Sequence, residues 1–468
     1  MSEVITGDMS IFDRNLQVPY AQSWSAGWQR KLTRETALEI RYVGTRHLQG
    51  WTEYQYNEPN IVENGFLDEF ELAQQNLRAD VLAGCGTPGH AACSFAYRGA
   101  GTGTSPLPIY LAYLNGRADA SNAAAYSGSS WSSSNFINPL AIYNPNPFAA
   151  APNNPTSSSS VSNQALEGSA TRRANALAAG LPRNFFRANP DLLGGVGVTG
   201  NGGYTKYNSL QVELRKRLSR GLQFQTSYVF GRAYSSERYS FRTPRRSVMQ
   251  TGTEGGVTHA LKANWVYELP FGQGRRFGGS AGPLLNRLIG GWSLDGIARI
   301  QSGRLLDFGD VRLVGMTKKE LQKAFKLRFD DANKVIFMLP QDIIDNTVKA
   351  FSVDATSPTG YGSLGAPSGR YVAPANSLDC IEVAIGSGHC GLNSLVVTGP
   401  TLVRFDLSTT KRIPIAGHVE ASFRAEFLNA FNTPWFSPVT GTGNNPDAFR
   451  VTSADSGRIV QLISRISW

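Results

Sequence analysis

The side chains that most often perform catalysis are scattered through this sequence. The five histidines show no HExxH or other paired spacing, and no Gly-x-Ser-x-Gly element occurs. Residues 272–279 are glycine-rich but match neither GxGxxG nor the Walker pattern, and they follow a predicted strand. A glycine-rich connection is therefore favoured over a nucleotide site. The sequence predicts no enzyme, no catalytic residue, no metal and no cofactor.

The four cysteines form two local pairs, Cys85 with Cys93 and Cys380 with Cys390. Neither pair has CxxC spacing, and no second cluster of ligands lies nearby, so a zinc site is disfavoured. Both pairs lie outside the predicted strands. Two loop disulfides in an oxidising compartment are the favoured interpretation, and free thiols are the alternative.

Two further features could bind a solute. The aromatic and Asn-rich residues 126–154 could stack against sugars, although a polar surface loop with no fixed partner is favoured. Charged residues that alternate with apolar ones could define a substrate path facing the lumen of a barrel. Cross-strand ion pairs along the wall are the favoured interpretation of this second set. Its members are Glu213, Arg215, Asp295, Arg299, Arg404, Asp406, Arg424 and Glu426.

The elements that carry these charges are predicted to be long strands. From Val419 to Phe427 every second residue is apolar, and the residues between are Glu, Ser, Arg and Glu. Period-2 alternation indicates a strand, and its length suits a tilted crossing of a bilayer. With the final segment ending at Trp468, an aromatic suited to the membrane interface, this predicts the closing hairpin of an antiparallel transmembrane β-barrel.

The same pattern predicts about nine strands and an all-β fold. The strands are expected at 20–30, 37–43, 210–215, 222–230, 260–269, 292–300, 403–409, 419–431 and 458–468. Two long interruptions, at about 44–202 and 303–400, are interpreted as extracellular loops carrying short helices near 67–83, 317–327 and 340–351. Short links alternate with long ones, which favours periplasmic turns, extracellular loops and a periplasmic C-terminus.

Composition limits the other possibilities. The chain has 468 residues, a net charge of +10 and 17% charged residues. The basic residues lie at strand ends and form no single patch, so nucleic acid is not an expected partner. No apolar stretch is long enough for a membrane helix, and residues 1–10 do not resemble a signal peptide. With the odd strand number, this predicts that residues 1–468 are the C-terminal portion of a larger barrel.

Several segments carry a resemblance to a known family. They are Pro19-Tyr-Ala-Gln-Ser-Trp24, Tyr207-Asn-Ser-Leu-Gln-Val212, Tyr267-Glu-Leu-Pro-Phe-Gly272, Gly290-Gly-Trp292 and Phe423-Arg-Ala-Glu-Phe-Leu-Asn-Ala-Phe-Asn432. The sequence resembles TonB-dependent receptors of the Oar-like group, of the acidobacterial type, without their plug and N-terminal regulatory-like domain. These receptors are plugged barrels of roughly 22 strands.

The resemblance implies an outer-membrane receptor that takes up an unknown substrate, such as a glycan fragment, a siderophore or a peptide. The implied partners are outer-membrane lipid, the barrel-assembly machinery through the C-terminal strand, and the TonB complex only through the plug region. The alternative is a surface-exposed binding or adhesion protein that is anchored by its barrel.

Overall fold

Nine long strands form one antiparallel sheet in which each strand pairs with the next along the chain. The computed structural model describes residues 9–88, 90–139, 166–192, 196–237, 246–249, 256–354, 357, 359–383, 388–391 and 393–468. The sheet confirms the predicted all-β, antiparallel fold class. Its strands, first to ninth, are Tyr20–Lys31, Thr36–Gln55, Val196–Ser219, Leu222–Glu237, His259–Glu268, Trp292–Gln301, Leu402–Ala416, Val419–Leu428 and Ile459–Ser467. Two short strands, Met9–Phe12 and Arg246–Met249, pair with the third and fourth strands.

The register separates apolar and polar side chains onto opposite faces of the sheet. One row of directly opposed residues runs across seven strands and is wholly apolar: Trp28, Ile40, Val212, Tyr228, Leu261, Ile300 and Val403. The adjacent row, on the other face, is wholly polar: Gln29, Glu39, Glu213, Ser227, Lys262, Arg299 and Arg404. We call these sides the apolar face and the polar face. Large apolar side chains such as Trp28, Phe423 and Leu462 are exposed, as expected of strands that contact lipid.

Glycines on the sheet are covered by tryptophans from the neighbouring strand. Trp265 lies directly opposite Gly296, and a Cβ added to Gly296 would meet the indole ring at 2.2 Å. Trp24 and Gly44 repeat this arrangement, with 2.4 Å from a Cβ on Gly44 to the ring. An aromatic ring that folds over a glycine of the next strand fixes the register of the pair.

We expect Gly296→Ala to destabilise the protein by about 1–3 kcal/mol, because the indole of Trp265 must move off its site. Chemical denaturation in detergent micelles would measure the change. The matched control is Gly27→Ala, where the nearest atom to an added Cβ is the Ile40 carbonyl oxygen at 3.9 Å. Equal effects of the two substitutions would contradict the role of the ring.

The links between strands differ in length at the two ends of the sheet. Residues 32–35, 220–221, 269–291 and 417–418 connect strands at one end, which we call the turn end. Residues 56–195, 238–258, 302–401 and 429–458 connect them at the other, the loop end. The second strand runs to Gln55 and the third starts at Val196, so the strands extend into the predicted 44–202 loop. Gly50 and Gly203 allow this extension, because a Cβ on Gly203 would lie 2.8 Å from the Gly50 carbonyl oxygen.

The first insertion, residues 56–195, has a hydrophobic core of its own. Among its helices are the α-helices Phe66–Leu82, Pro108–Asn115 and Ala170–Ala178 and the short 3₁₀-helices Ala123–Ala125, Ser129–Ser132 and Ser134–Phe136. The first of them buries a stripe at helical spacing, formed by Phe66, Phe70, Ala73, Leu77 and Val81. Rings from distant segments complete the core, with Phe66 4.9 Å from Phe186 and 5.6 Å from Tyr110 between centroids. The Cys85–Cys93 disulfide follows the first helix.

Glu69 joins two helices of this insertion from a buried position. Its carboxylate accepts the backbone N–H groups of Ile109 at 2.8 Å and Tyr110 at 2.7 Å, at the start of the helix Pro108–Asn115. Burial raises the pKa of Glu69 from 4.5 to about 7, and the two N–H donors oppose this shift only in part. Because the folded-state pKa lies above the unfolded-state one, the stabilisation from proton binding is present below pH 4.5 and is lost as pH rises through 7.

We therefore expect the first insertion to lose about 3 kcal/mol of stability through Glu69 between mildly acidic and neutral pH. Glu69→Gln should flatten this dependence, because the amide does not titrate, although it can accept only one of the two N–H groups. Hydrogen exchange of the helix Pro108–Asn115 across this pH range would measure the effect. Asp68→Asn, at the exposed neighbouring position, is the control. An unchanged pH dependence in Glu69→Gln would contradict the assignment.

The second insertion, residues 302–401, contains strands as well as the expected short helices. Strands Tyr371–Ala373, Leu305–Val314 and Asn393–Thr398 form a three-stranded sheet, and Arg328–Asp330 pairs with Val335–Phe337. The helices are Lys318–Ala324, which begins with a Thr317/Glu320 capping box, and Gln341–Ala350. This insertion has a hydrophobic core of its own, formed around residues such as Phe308, Leu321 and Ile343, and Phe449 from the link 429–458 is buried in it. Within the described residues, no helix is long and apolar enough to cross a bilayer.

Candidate functional site

All eight charged residues predicted to face a lumen lie on the polar face of the sheet. Glu213, Arg299 and Arg404 belong to the polar row defined above, and Arg215 and Asp406 belong to the next row toward the turn end. Asp295 and Glu426 flank Ser408 in the following row, and Arg424 lies opposite Thr410 in the row after that. Strand periodicity therefore assigns these residues to one face. The register groups six of them on the sixth to eighth strands, and the fourth and fifth strands separate these six from Glu213 and Arg215 on the third.

Most of these charges form ion pairs within one strand. Arg215 Nε lies 2.9 Å from Glu213 Oε1, Arg424 Nε 2.7 Å from Glu426 Oε1, and Arg404 Nε 3.1 Å from Asp406 Oδ1. Each of these pairs joins residues two apart, which a strand places on the same face. Cross-strand contacts are longer, at 3.8 Å from Arg215 to Glu39 and 4.0 Å from Arg424 to Asp295. The side chains are partly exposed, so each pair contributes little stability.

A cavity of about 370 Å³ opens on the polar face between the fourth and eighth strands. This volume lies within the range of small-molecule sites. Among the described residues, carboxylates, one guanidinium, amides, a hydroxyl and six apolar residues line it, so it offers donors, acceptors and apolar surface to a ligand. The lining includes Gln225, Asn264, Asp295, Ile297, Asp406, Arg424 and Glu426.

Polar-face residues that the sequence did not single out as site candidates include Glu39, Lys262, Gln225 and Asn264. Each lies on a predicted strand at an alternate position, so the same periodicity could have selected them. Among the residues that the structure describes, no group of three His, Cys, Asp or Glu side chains is placed to hold a metal ion.

The described part of the stretch 126–154 does not present rings for sugar stacking. Tyr126, Trp131 and Phe136 are 9%, 2% and 6% exposed and belong to the core of the first insertion. The indole Nε1 of Trp131 donates to Asn115 Oδ1 at 2.8 Å. Up to Pro139 the three aromatic rings of the stretch are therefore buried in a packed core and offer no platform for a sugar. Residues 140–154 lie outside the described part of the chain.

The two insertions contact one another at the loop end of the sheet. Ile381 and Val383 of the second insertion are 2% and 4% exposed, and they are buried in the hydrophobic core of the first. His389 Nε2 lies 2.8 Å from Glu71 Oε1 on the helix Phe66–Leu82. The Cys380–Cys390 disulfide closes the segment that carries these residues. The disulfide therefore constrains the part of the second insertion that docks on the first.

Comparison with known proteins places the chain in a family. The crystal structure of the outer membrane transporter YddB from Escherichia coli is similar, at 9% sequence identity and a TM-score of 0.32. The similar region covers 99% of this chain and 35% of the transporter chain, so this chain spans about a third of that length. No curated protein sequence matches the chain. The family described as the outer membrane beta barrel domain matches residues 2–461. The chain therefore belongs to the outer membrane β-barrel domain family and is a protein of the outer membrane.

Proposed function

We propose that this chain forms the barrel wall and outer loops of a TonB-dependent receptor of the Oar-like group. In this proposal it takes up a glycan fragment, a siderophore or a peptide, and it catalyses no reaction. The observation that carries the proposal is the polar face, where a charged and amide-lined cavity lies on the wall below two folded insertions. A solute bound by the insertions would meet hydrogen-bonding groups along this face.

The proposed orientation follows from the links. The loop end, with both insertions, faces the cell exterior, and the turn end and the C-terminus face the periplasm. The apolar face contacts outer-membrane lipid, and the C-terminal strand with Trp468 engages the barrel-assembly machinery. TonB would act through the plug region, which lies in the N-terminal part of such receptors.

The alternative is a surface-exposed binding or adhesion protein whose barrel anchors the insertions. The observation in its favour is that each insertion has a packed core and a disulfide. An anchor of this kind needs the insertions but needs no polar path along the wall.

Uptake in the native bacterium separates the two functions. The gene would be deleted, and the accumulation of labelled glycan fragments, ferric siderophores and peptides would be compared in the deletion, complemented and TonB-deficient strains. A transporter should give accumulation of one class that requires both the gene and TonB. Surface binding that requires the gene, without accumulation of any class in any strain, would favour the adhesion protein.

A further inference from the structure

Three cations lie side by side on the polar face near the loop end. Lys262 is directly opposite Arg299, and Arg299 is directly opposite Arg404. Directly opposed side chains of an antiparallel pair have Cβ atoms about 5 Å apart, and like charges in this position repel each other. Such a row is unfavourable unless negative charge is close by.

Neighbouring residues supply little of that charge. The row toward the loop end contributes Ala260, Gln301 and Leu402, and the row toward the turn end contributes Asn264, Ile297 and Asp406. Asp406 pairs with Arg404, whereas the Nε of Arg299 donates to the neutral Gln301 Oε1 at 2.7 Å. In the part of the chain that the structure describes, Lys262 and Arg299 form no ion pair with a carboxylate. The acids of the same row, Glu39 and Glu213, are paired with Arg41 and Arg215.

A cavity of about 270 Å³ opens beside this row. Among the described residues, it is lined by Arg299, Arg304 and Arg404, and Asp455 is the one acid among these lining residues. Arg304 follows the sixth strand, and its guanidinium carbon lies 5.4 Å from the centre of the Trp435 ring. The indole Nε1 of Trp435 is buried and has no hydrogen-bond partner among the described residues. The cavity thus offers an excess of donors and of positive charge.

We propose that this cavity binds an anionic ligand through a carboxylate, phosphate or sulfate group held by Arg299 and Arg304, with Arg404 beside them. Guanidinium groups bind planar and tetrahedral oxyanions through paired N–H donors. A bound anion would also reduce the electrostatic repulsion among the three cations Lys262, Arg299 and Arg404. The inference that the transported substrate is an anion rests on the proposed function. The inference that this cavity binds an anion does not.

Binding to the purified full-length protein in a neutral detergent tests the site without transport. The probes are trigalacturonate, inorganic phosphate and the uncharged maltotriose, measured by isothermal titration calorimetry. We expect binding of at least one anion, weakened by added salt, and no binding of maltotriose. Arg299→Gln and Arg304→Gln should each lower the affinity for the anion about tenfold or more. The matched control is Arg370→Gln, an exposed arginine that pairs with Asp342 in the second insertion and does not line the cavity, which should leave the affinity unchanged.

Comparing trigalacturonate with inorganic phosphate shows whether the site prefers a carboxylated or a phosphorylated ligand. Equal binding of maltotriose, absence of binding by both anions, or unchanged affinity in both variants would overturn the proposal. Arg304 is exposed and lies outside the nine strands, so its variant keeps the test valid if Arg299→Gln does not fold. Salt dependence in the unmodified protein needs no variant. If the protein binds anions but its gene supports no accumulation, the anion site stands and the proposed transport function is wrong. If only neutral substrates accumulate and no anion binds, the transport function stands and the anion site is wrong.

Discussion

Replacing Arg187 by methionine is expected to destabilise the first insertion by about 3–5 kcal/mol, the cost of breaking a buried ion pair from one side. Arg187 and Glu167 are 4% and 5% exposed, with Nε 3.2 Å from Oε2. The guanidinium also donates to the Asn57 carbonyl oxygen at 3.0 Å. It therefore connects the start of the insertion to segments more than a hundred residues away in the sequence.

The size of the effect comes from the carboxylate that remains. Burial raises the pKa of Glu167, and the charge of Arg187 is the main influence that opposes this shift. Without Arg187 the carboxylate must take up a proton or remain charged in an apolar core. The destabilisation should therefore be largest at neutral pH and smaller in acid, because protonation removes the unpaired charge.

Hydrogen exchange of the helices Phe66–Leu82 and Ala170–Ala178, in detergent-solubilised protein, would measure the loss of stability. The matched control is Arg183→Met, which removes an exposed ion pair with Asp191 and should cost less than about 1 kcal/mol. The double variant Glu167→Gln/Arg187→Met should recover part of the loss, since it leaves no buried charge. Native exchange rates in Arg187→Met would show that the pair does not hold the insertion together.

Placing aspartate at Ile381 is expected to separate the two insertions. The side chain is 2% exposed in the core of the first insertion, so the variant loses apolar burial and must desolvate a carboxylate. The combined cost is about 4 kcal/mol or more in the docked state. Undocking avoids this cost, because the segment can expose the carboxylate to water. We therefore expect local separation rather than global unfolding.

Separation should appear as faster hydrogen exchange at two places. One is the His389 amide, which donates to the Ile381 carbonyl oxygen at 3.1 Å, and the other is the helix Phe66–Leu82 that it faces through Glu71. Exchange in the nine-stranded sheet should stay unchanged. Leu364→Asp, at a position 50% exposed in the same insertion, is the control. If Ile381→Asp and Leu364→Asp behave alike, the docking contact is not required for the arrangement of the insertions.

The nine strands, and the face to which each of their side chains belongs, could be predicted from the sequence. Both follow from alternation, a local property that survives without knowledge of any partner. Asp295 and Arg299 are assigned to one face because they are four residues apart on a strand, and Glu213 and Arg215 because they are two apart. Alternation and strand length also predicted the membrane setting, which the family match over residues 2–461 supports.

Which of these residues meet, and what the interruptions contain, could not be predicted in this way. The row of Lys262, Arg299 and Arg404 depends on strand register, which pairs residues from distant parts of the sequence. Besides the stripe of the helix Phe66–Leu82, the core of the first insertion depends on single rings such as Trp131 and Phe186, spaced without a period in polar sequence. Ile381 is buried in a core whose residues from the first insertion lie about two hundred or more positions before it in the sequence. Such contacts are selected by the free energy of burying apolar surface in three dimensions, and this leaves no local pattern in the chain.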